Sequence, residues 1–216
     1  METRLMTDQA ERALEAHRRL LARFPDAVPA LVYGSPFELL ISVVLSAQTT
    51  DMQVNRVTPV LFNKYRSSGS LASAELQEVE RIIRPVGFYH QKSRMIISLS
   101  RMLEEIFDGR IPDSLKDLVR LPGVGRKSAH IVLGMVYGQN SGIAVDTHVG
   151  RIARRLGLSN ATSADRVEYD LEAMIPVHQW RSVNLTWVLH GRQTCTAARP
   201  RCDTCLLADI CPRVGV

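Results

Sequence analysis

Leu121-Pro-Gly-Val-Gly-Arg-Lys-Ser-Ala129 is the stretch whose reading decides the fold. It reads as a tight turn between two helices. Upstream, Ser114 with Asp117 three residues on is a capping-box pattern bounded by Pro112, and Leu115, Leu118 and Val119 give a short helix its apolar face. Pro122 stops that helix, because proline has no N–H to continue the ladder. Gly123 and Gly125 admit backbone angles that a side chain disfavours. A second helix follows at once, with Ile131, Val132 and Met135 on one face and its end at Gly138. Its first N–H groups lack intrahelical partners and point into the glycine turn, where backbone donors and the helix dipole suit a phosphate.

Lys127 falls in the first turn of the second helix. The positive end of the dipole disfavours an ammonium there and favours the neutral amine, a nucleophile that forms Schiff bases. The same pattern is also what an ordinary helix hairpin with a solvated lysine would show, and the hairpin alone favours that plainer reading, since short motifs often match by chance.

Composition sets the frame. The chain has 216 residues, room for one large or two small domains, and its 45% hydrophobic content is ordinary for a globular protein. No apolar run is long enough for a membrane span, and no secretory leader is expected behind Met-Glu-Thr-Arg, so the chain is expected to be cytoplasmic. A net charge of +5 leans toward an anionic partner.

Outward from the hairpin, every segment reads as helix. Asp8 to Arg23 is helical, with Thr7 or Asp8 as its cap and Phe24-Pro25 as its end. Pro25 and Pro29 mark a linker. Ser35-Pro36-Phe37-Glu38 is a capping box with proline at the first helical position, opening an almost wholly apolar helix from Phe37 to about Ala47 that should be buried in the middle of a bundle. Asp51 can cap the next helix, in which Pro59 predicts a kink or a late start. Ser67 to Ser70 reads as a loop. Leu76 to Ile83 is a helix closed by Pro85, Gly87 a turn, and Met95 to Ile106 part of a long helix. Beyond Gly138, Asp146 is a natural N-cap for a helix that ends at Gly157. Arg151, Arg154 and Arg155 on that helix form either a solvated basic face or a phosphate-facing one. Two further helices are expected near 167–174 and 179–190. His148 and His190 read as structural hydrogen-bonders, with no histidine or cysteine at ligand spacing beside them in sequence. No strand alternation is sustained anywhere, so the fold class is all-α.

Cys195, Cys202, Cys205 and Cys211 are the only cysteines and give C-x6-C-x2-C-x5-C. Nothing suggests secretion, so disulfides are disfavoured. Zinc sites with four cysteines usually come as two paired knuckles, whereas one segment wrapping a single site suits an iron–sulfur cube ahead of zinc. Arg199 and Arg201 lie between the first two cysteines, where they are either solvated or placed to meet phosphate.

The hairpin LPGVGRKSA, VDTH at 145–148, LHGR at 189–192 and the four-cysteine tail together resemble the helix–hairpin–helix DNA glycosylases of the endonuclease III type. SPFELLISVVLSAQTTD at 35–51 and VGFYHQK at 86–92 extend the resemblance over nearly the whole chain. It implies a bifunctional glycosylase and abasic-site lyase that removes oxidised pyrimidines from duplex DNA, acting as a monomer. It implies Lys127 as nucleophile, Asp146 as second catalytic residue, and a 4Fe-4S cluster on Cys195, Cys202, Cys205 and Cys211. Gln48 matches the glutamine that fills the gap left by an extruded nucleotide. Phe88 stands where the family has a wedge leucine, a departure that keeps an apolar wedge. Gly123, Gly125, Arg126, Arg199 and Arg201 would contact DNA. The loop between Lys127 and Asp146 is one residue longer than in the family's enterobacterial enzyme, with Gln139 to Gly142 expected to absorb the difference.

The fold implied is two helical domains with a cleft between them: a six-helix barrel with the helix–hairpin–helix at 29–139, and an iron–sulfur cluster domain of 1–28 with 140–216. Three rivals stay open: a related cluster-containing adenine glycosylase, which lacks the hairpin lysine; a non-catalytic module using the hairpin as a phosphate clamp; and a zinc protein.

Overall fold

The structure, a computed structural model, describes residues 2–216, with side chains from Asp8 onward. Among the described residues all regular structure is helical. The chain divides into two units, residues 29–139 and residues 1–28 with 140–216.

The unit 29–139 holds α2 (Pro36–Leu45), α3 (Asp51–Lys64), α4 (Ser68–Ala72), α5 (Leu76–Ile83), α6 (Tyr89–Phe107), α7 (Leu115–Leu118) and α8 (Arg126–Tyr137). α2 starts as its sequence requires: Ser35 accepts the N–H of Glu38 and Pro36 takes the first helical position. The Glu38 carboxylate reaches one residue beyond the cap and accepts the N–H of Gly34 at 2.6 Å. Phe37 and the run from Leu39 to Leu45 are buried, so α2 forms the centre of this unit's core. A helix apolar on every side has no stable place except the middle.

Several boundaries differ from the sequence expectation. α2 ends at Leu45, two residues before Ala47. Thr50, not Asp51, caps α3, its side chain accepting the N–H of Gln53, and α3 runs through Pro59 without the late start. The Ser67–Ser70 loop is a helix start instead: Ser67 and Ser70 form a reciprocal capping box for α4.

The other unit is built from α1 (Glu2–Arg23), α9 (Thr147–Arg155), α10 (Ala164–Glu172), α11 (Trp180–Gln193) and the C-terminal segment. α1 begins at Glu2, so neither Thr7 nor Asp8 occupies a cap position; the side chain of Thr7 lies outside the described residues. α10 begins three residues earlier than expected and α11 extends three residues further. Leu20, Ile152, Leu171, Val183 and the fully buried Trp187 make the core. α1 is tied in by polar bonds as well: Gln9 and Arg12 donate to the carbonyls of Gly157 and Leu156, and Arg19 donates to Leu206 O at 2.8 Å and pairs with Asp209. No helix among the described residues is long and apolar enough to cross a membrane.

Candidate functional site

The hairpin is α7, the turn Val119–Gly125 and α8. Ser114 caps α7 by accepting the N–H of Asp117. Gly123 takes φ +80°, and a Cβ there would sit 2.9 Å from Val44 Cγ1 and 3.3 Å from Met95 Sδ, so both angle and space require glycine. Gly125 differs from expectation: its φ is −94°, extended backbone open to any residue, and a Cβ would meet nothing within 4 Å. Gly125 is the N-cap of α8 and offers no side-chain acceptor to the first-turn N–H groups. Arg126 and Lys127 follow immediately, Arg126 exposed and Lys127 half-buried. Two cations at a helix N-terminus oppose the dipole by roughly 0.3–1 kcal/mol each, a cost that a bound anion reverses. Gly138 closes α8 at φ +66°.

Asp146 caps α9. Its Oδ1 accepts the N–H groups of His148 at 2.9 Å and Val149 at 2.8 Å. Lys127 and Asp146 belong to different units of the chain.

The four cysteines are brought together: Cys195, Cys202, Cys205 and Cys211 line one cavity with Ile152, His190 and Leu207. None of the four is in a disulfide, and burial pushes the thiols of Cys205 and Cys211 up. Arg155 donates to Cys195 Sγ at 3.3 Å, and the N–H of Leu207 to Cys205 Sγ at 3.5 Å. Sulfurs supplied with N–H donors around a shared cavity are the surroundings that thiolates of an iron–sulfur cluster use. Among the described residues no three His, Cys, Asp or Glu side chains converge as a site for one metal ion.

The arginines of α9 follow neither reading made from the sequence, since they face inward to carbonyls. Arg155 is buried and donates to Thr196 O at 2.7 Å and Ala197 O at 2.9 Å. Arg151 donates to Cys195 O and Gly191 O, both at 2.9 Å, and meets His148 Nδ1 at 3.0 Å. Arg154 donates to Ala161 O. Arg151 and Arg155, one helical turn apart, thus hold the first cysteine's loop against α9. His148 is half-buried and bonded to Arg151, while His190, 1% exposed, has Nε2 3.7 Å from Cys205 Sγ, a neighbour its sequence spacing hid. Arg199 and Arg201 are exposed on the cysteine loop.

Gln48 and Phe88 are both exposed, and both are non-glycine residues in the left-handed region, at φ 52° and 60°. Such angles cost of order 1 kcal/mol or more and persist only where the surroundings hold them. Sequence reasoning missed the residue beside them. Lys92 is buried, and its Nζ donates to Leu45 O, Ala47 O and Thr49 Oγ1.

Comparison with known proteins places this arrangement. Residues 41–176 match the profile of the HhH-GPD superfamily base excision DNA repair proteins. The chain is 41% identical to endonuclease III of Synechocystis sp. over 209 residues, covering 97% of this chain and 95% of that one. It is 37% identical to endonuclease III of Escherichia coli K12, covering 92% and 93%. A solved structure of a trapped endonuclease III–DNA covalent intermediate superposes with a TM-score of 0.91 at 40% identity, covering 94% of this chain and 96% of that one. With its helical fold and its lysine-bearing hairpin, the chain belongs to the endonuclease III family of the HhH-GPD superfamily of base excision DNA repair proteins.

Proposed function

We propose that the protein is a bifunctional DNA glycosylase and abasic-site lyase acting on duplex DNA that carries oxidised pyrimidines or abasic sites, in the cytoplasm of a bacterium. The observation that carries the reading is Lys127 in the first turn of α8, behind a glycine N-cap that leaves backbone donors for a phosphate.

The damaged nucleotide is extruded, because its C1′ is out of reach inside the stack. The Lys127 amine attacks C1′, and the C1′–N bond breaks as the base leaves with the bonding pair. The sugar ring opens, O4′ takes a proton, and the nitrogen becomes an imine to C1′. The carboxylate of Asp146 stabilises the positive charge developing on the sugar and helps take the proton from the amine. The imine acidifies C2′–H. Its loss expels the 3′ phosphate by β-elimination and cuts the strand 3′ to the lesion, and water then releases the lysine. Gly123, Gly125 and Arg126 anchor phosphate, Gln48 fills the gap that the nucleotide has left, and Phe88 wedges into the duplex on the other strand.

Cys195, Cys202, Cys205 and Cys211 are the residues that would hold a 4Fe-4S cluster. When bound, the cluster supplies iron–thiolate bonds that cross-link the C-terminal segment. Arg155 and Arg151 fasten the same segment to α9, and Arg199 and Arg201 present it to phosphates.

A panel of duplexes, each with one defined lesion, tests the function. Base release coupled to a nick 3′ to an oxidised pyrimidine is expected. Release of adenine without a nick would indicate the related adenine glycosylases, and tight binding with neither reaction would indicate a DNA-binding module.

A further inference from the structure

Lys92 is 4% exposed, yet among the described residues no carboxylate receives its charge; its Nζ donates to Leu45 O at 2.8 Å, Ala47 O at 2.5 Å and Thr49 Oγ1 at 2.9 Å. Burial pulls the ammonium down to about 8. A buried cation with only neutral partners is costly, so an apolar side chain would serve packing alone better. What the ammonium does fulfil is local. It gathers the carbonyls at the end of α2, where the helix has run out of N–H donors, and its partners Ala47 O and Thr49 Oγ1 stand on either side of Gln48. The backbone N–H of Lys92 donates to Phe88 O at 3.0 Å. Gly87, the residue before Phe88, lies against the same loop: a Cβ there would be 3.4 Å from Gln48 O and 3.5 Å from Thr49 Oγ1. Lys92 therefore touches the Gln48 turn through its side chain and the Phe88 turn through its backbone, and each turn carries an exposed left-handed residue, Gln48 at φ 52° and Phe88 at φ 60°.

We propose that Lys92 is a positioning residue for lesion recognition: it holds the Gln48 turn against the Phe88 turn, so that both side chains enter the duplex as one preformed pair. Held in advance, these angles need not be ordered when DNA binds, and the affinity gained is specific to a duplex with a gap to fill. This rests on the reading of Gln48 as the residue that fills the gap.

The test is a double-mutant cycle on the holoenzyme, read as lesion preference, the ratio of Kd for undamaged duplex to Kd for a duplex with a tetrahydrofuran abasic analogue. Lys92→Met keeps an unbranched stem and removes the donors. Its preference should fall about tenfold. Thr49→Val removes one acceptor, is not expected to threaten folding, and should lower the preference by a smaller factor. Gln48→Gly tolerates the left-handed angle and lacks the side chain; on its own it should lower the preference, and adding Lys92→Met to it should cost little more, because the lysine acts through the glutamine. A purely structural lysine would give equal losses in both backgrounds, and that outcome overturns the proposal. So does full preference in both Lys92→Met and Thr49→Val. Full preference in Gln48→Gly overturns the gap-filling reading itself, and the proposal with it.

Discussion

One oxygen of Asp146, Oδ1, takes the N–H of Val149 at 2.8 Å and also that of His148, so the cap of α9 needs only half of the carboxylate. The second oxygen is not required for the cap, and capping and chemistry can share the residue. Asparagine caps as well as aspartate but carries no charge. Asp146→Asn should therefore fold with a stability within about 1 kcal/mol of wild type and react on the order of a hundredfold more slowly. Single-turnover rates beside thermal melts measure both. A near-normal rate would leave the residue as a cap alone.

Gly191 sits where α9 and α11 meet. A Cβ there would lie 2.8 Å from both Cβ and Nδ1 of His148, so a backbone must move. Gly191→Ala should lose about 1–3 kcal/mol, the usual cost of overpacking. A chemical-denaturation midpoint equal to wild type would show that the glycine does not set this helix spacing.

His17 is fully buried with Nε2 3.0 Å from Ser182 Oγ and Nδ1 without a partner among the described residues, and burial lowers its pKa to about 4. The unfolded chain takes up the proton first, near 6.5, so stability is lost as pH falls from about 6.5 to about 4. The loss from this residue is on the order of 3 kcal/mol. His17→Gln should flatten that part of the stability profile, and an unchanged profile would place the acid sensitivity elsewhere.

Cys202→Ser removes one of the four thiols around the cavity. Purified variant should hold less iron and lose protection of residues 195–211 in hydrogen exchange, because metal binding and folding of such a segment are coupled. Full iron content with unchanged protection would show that Cys202 is not a ligand.

What could be read from the sequence was what the chain encodes locally. The caps Ser35, Ser114 and Asp146 and the helix-ending Gly138 and Gly157 each act within a few residues of themselves, and each is found where the spacing put it. The short helix after Ser67 was missed because its capping box uses serine at the third position in place of glutamate, in a segment of poor helix formers. Thr50 and Asp51 both cap well, and one residue of register separates them. Lys92 and Arg151 were invisible for a different reason. Their partners at Ala47 and Cys195 are 45 and 44 residues distant, and no local spacing records such a bond. The inward-facing arginines look, in sequence, like any basic helix face.

The nucleophile is the centre of the account, and reductive trapping tests it most directly. Incubation of the protein with abasic duplex and borohydride should give a covalent protein–DNA adduct through the reduced imine, with the adducted peptide carrying Lys127. Lys127→Gln should abolish trapping and strand cleavage while still binding the abasic site, since the backbone N–H groups at the start of α8 do not depend on the side chain. Trapping that persists undiminished in Lys127→Gln would put the nucleophile elsewhere and contradict the mechanism.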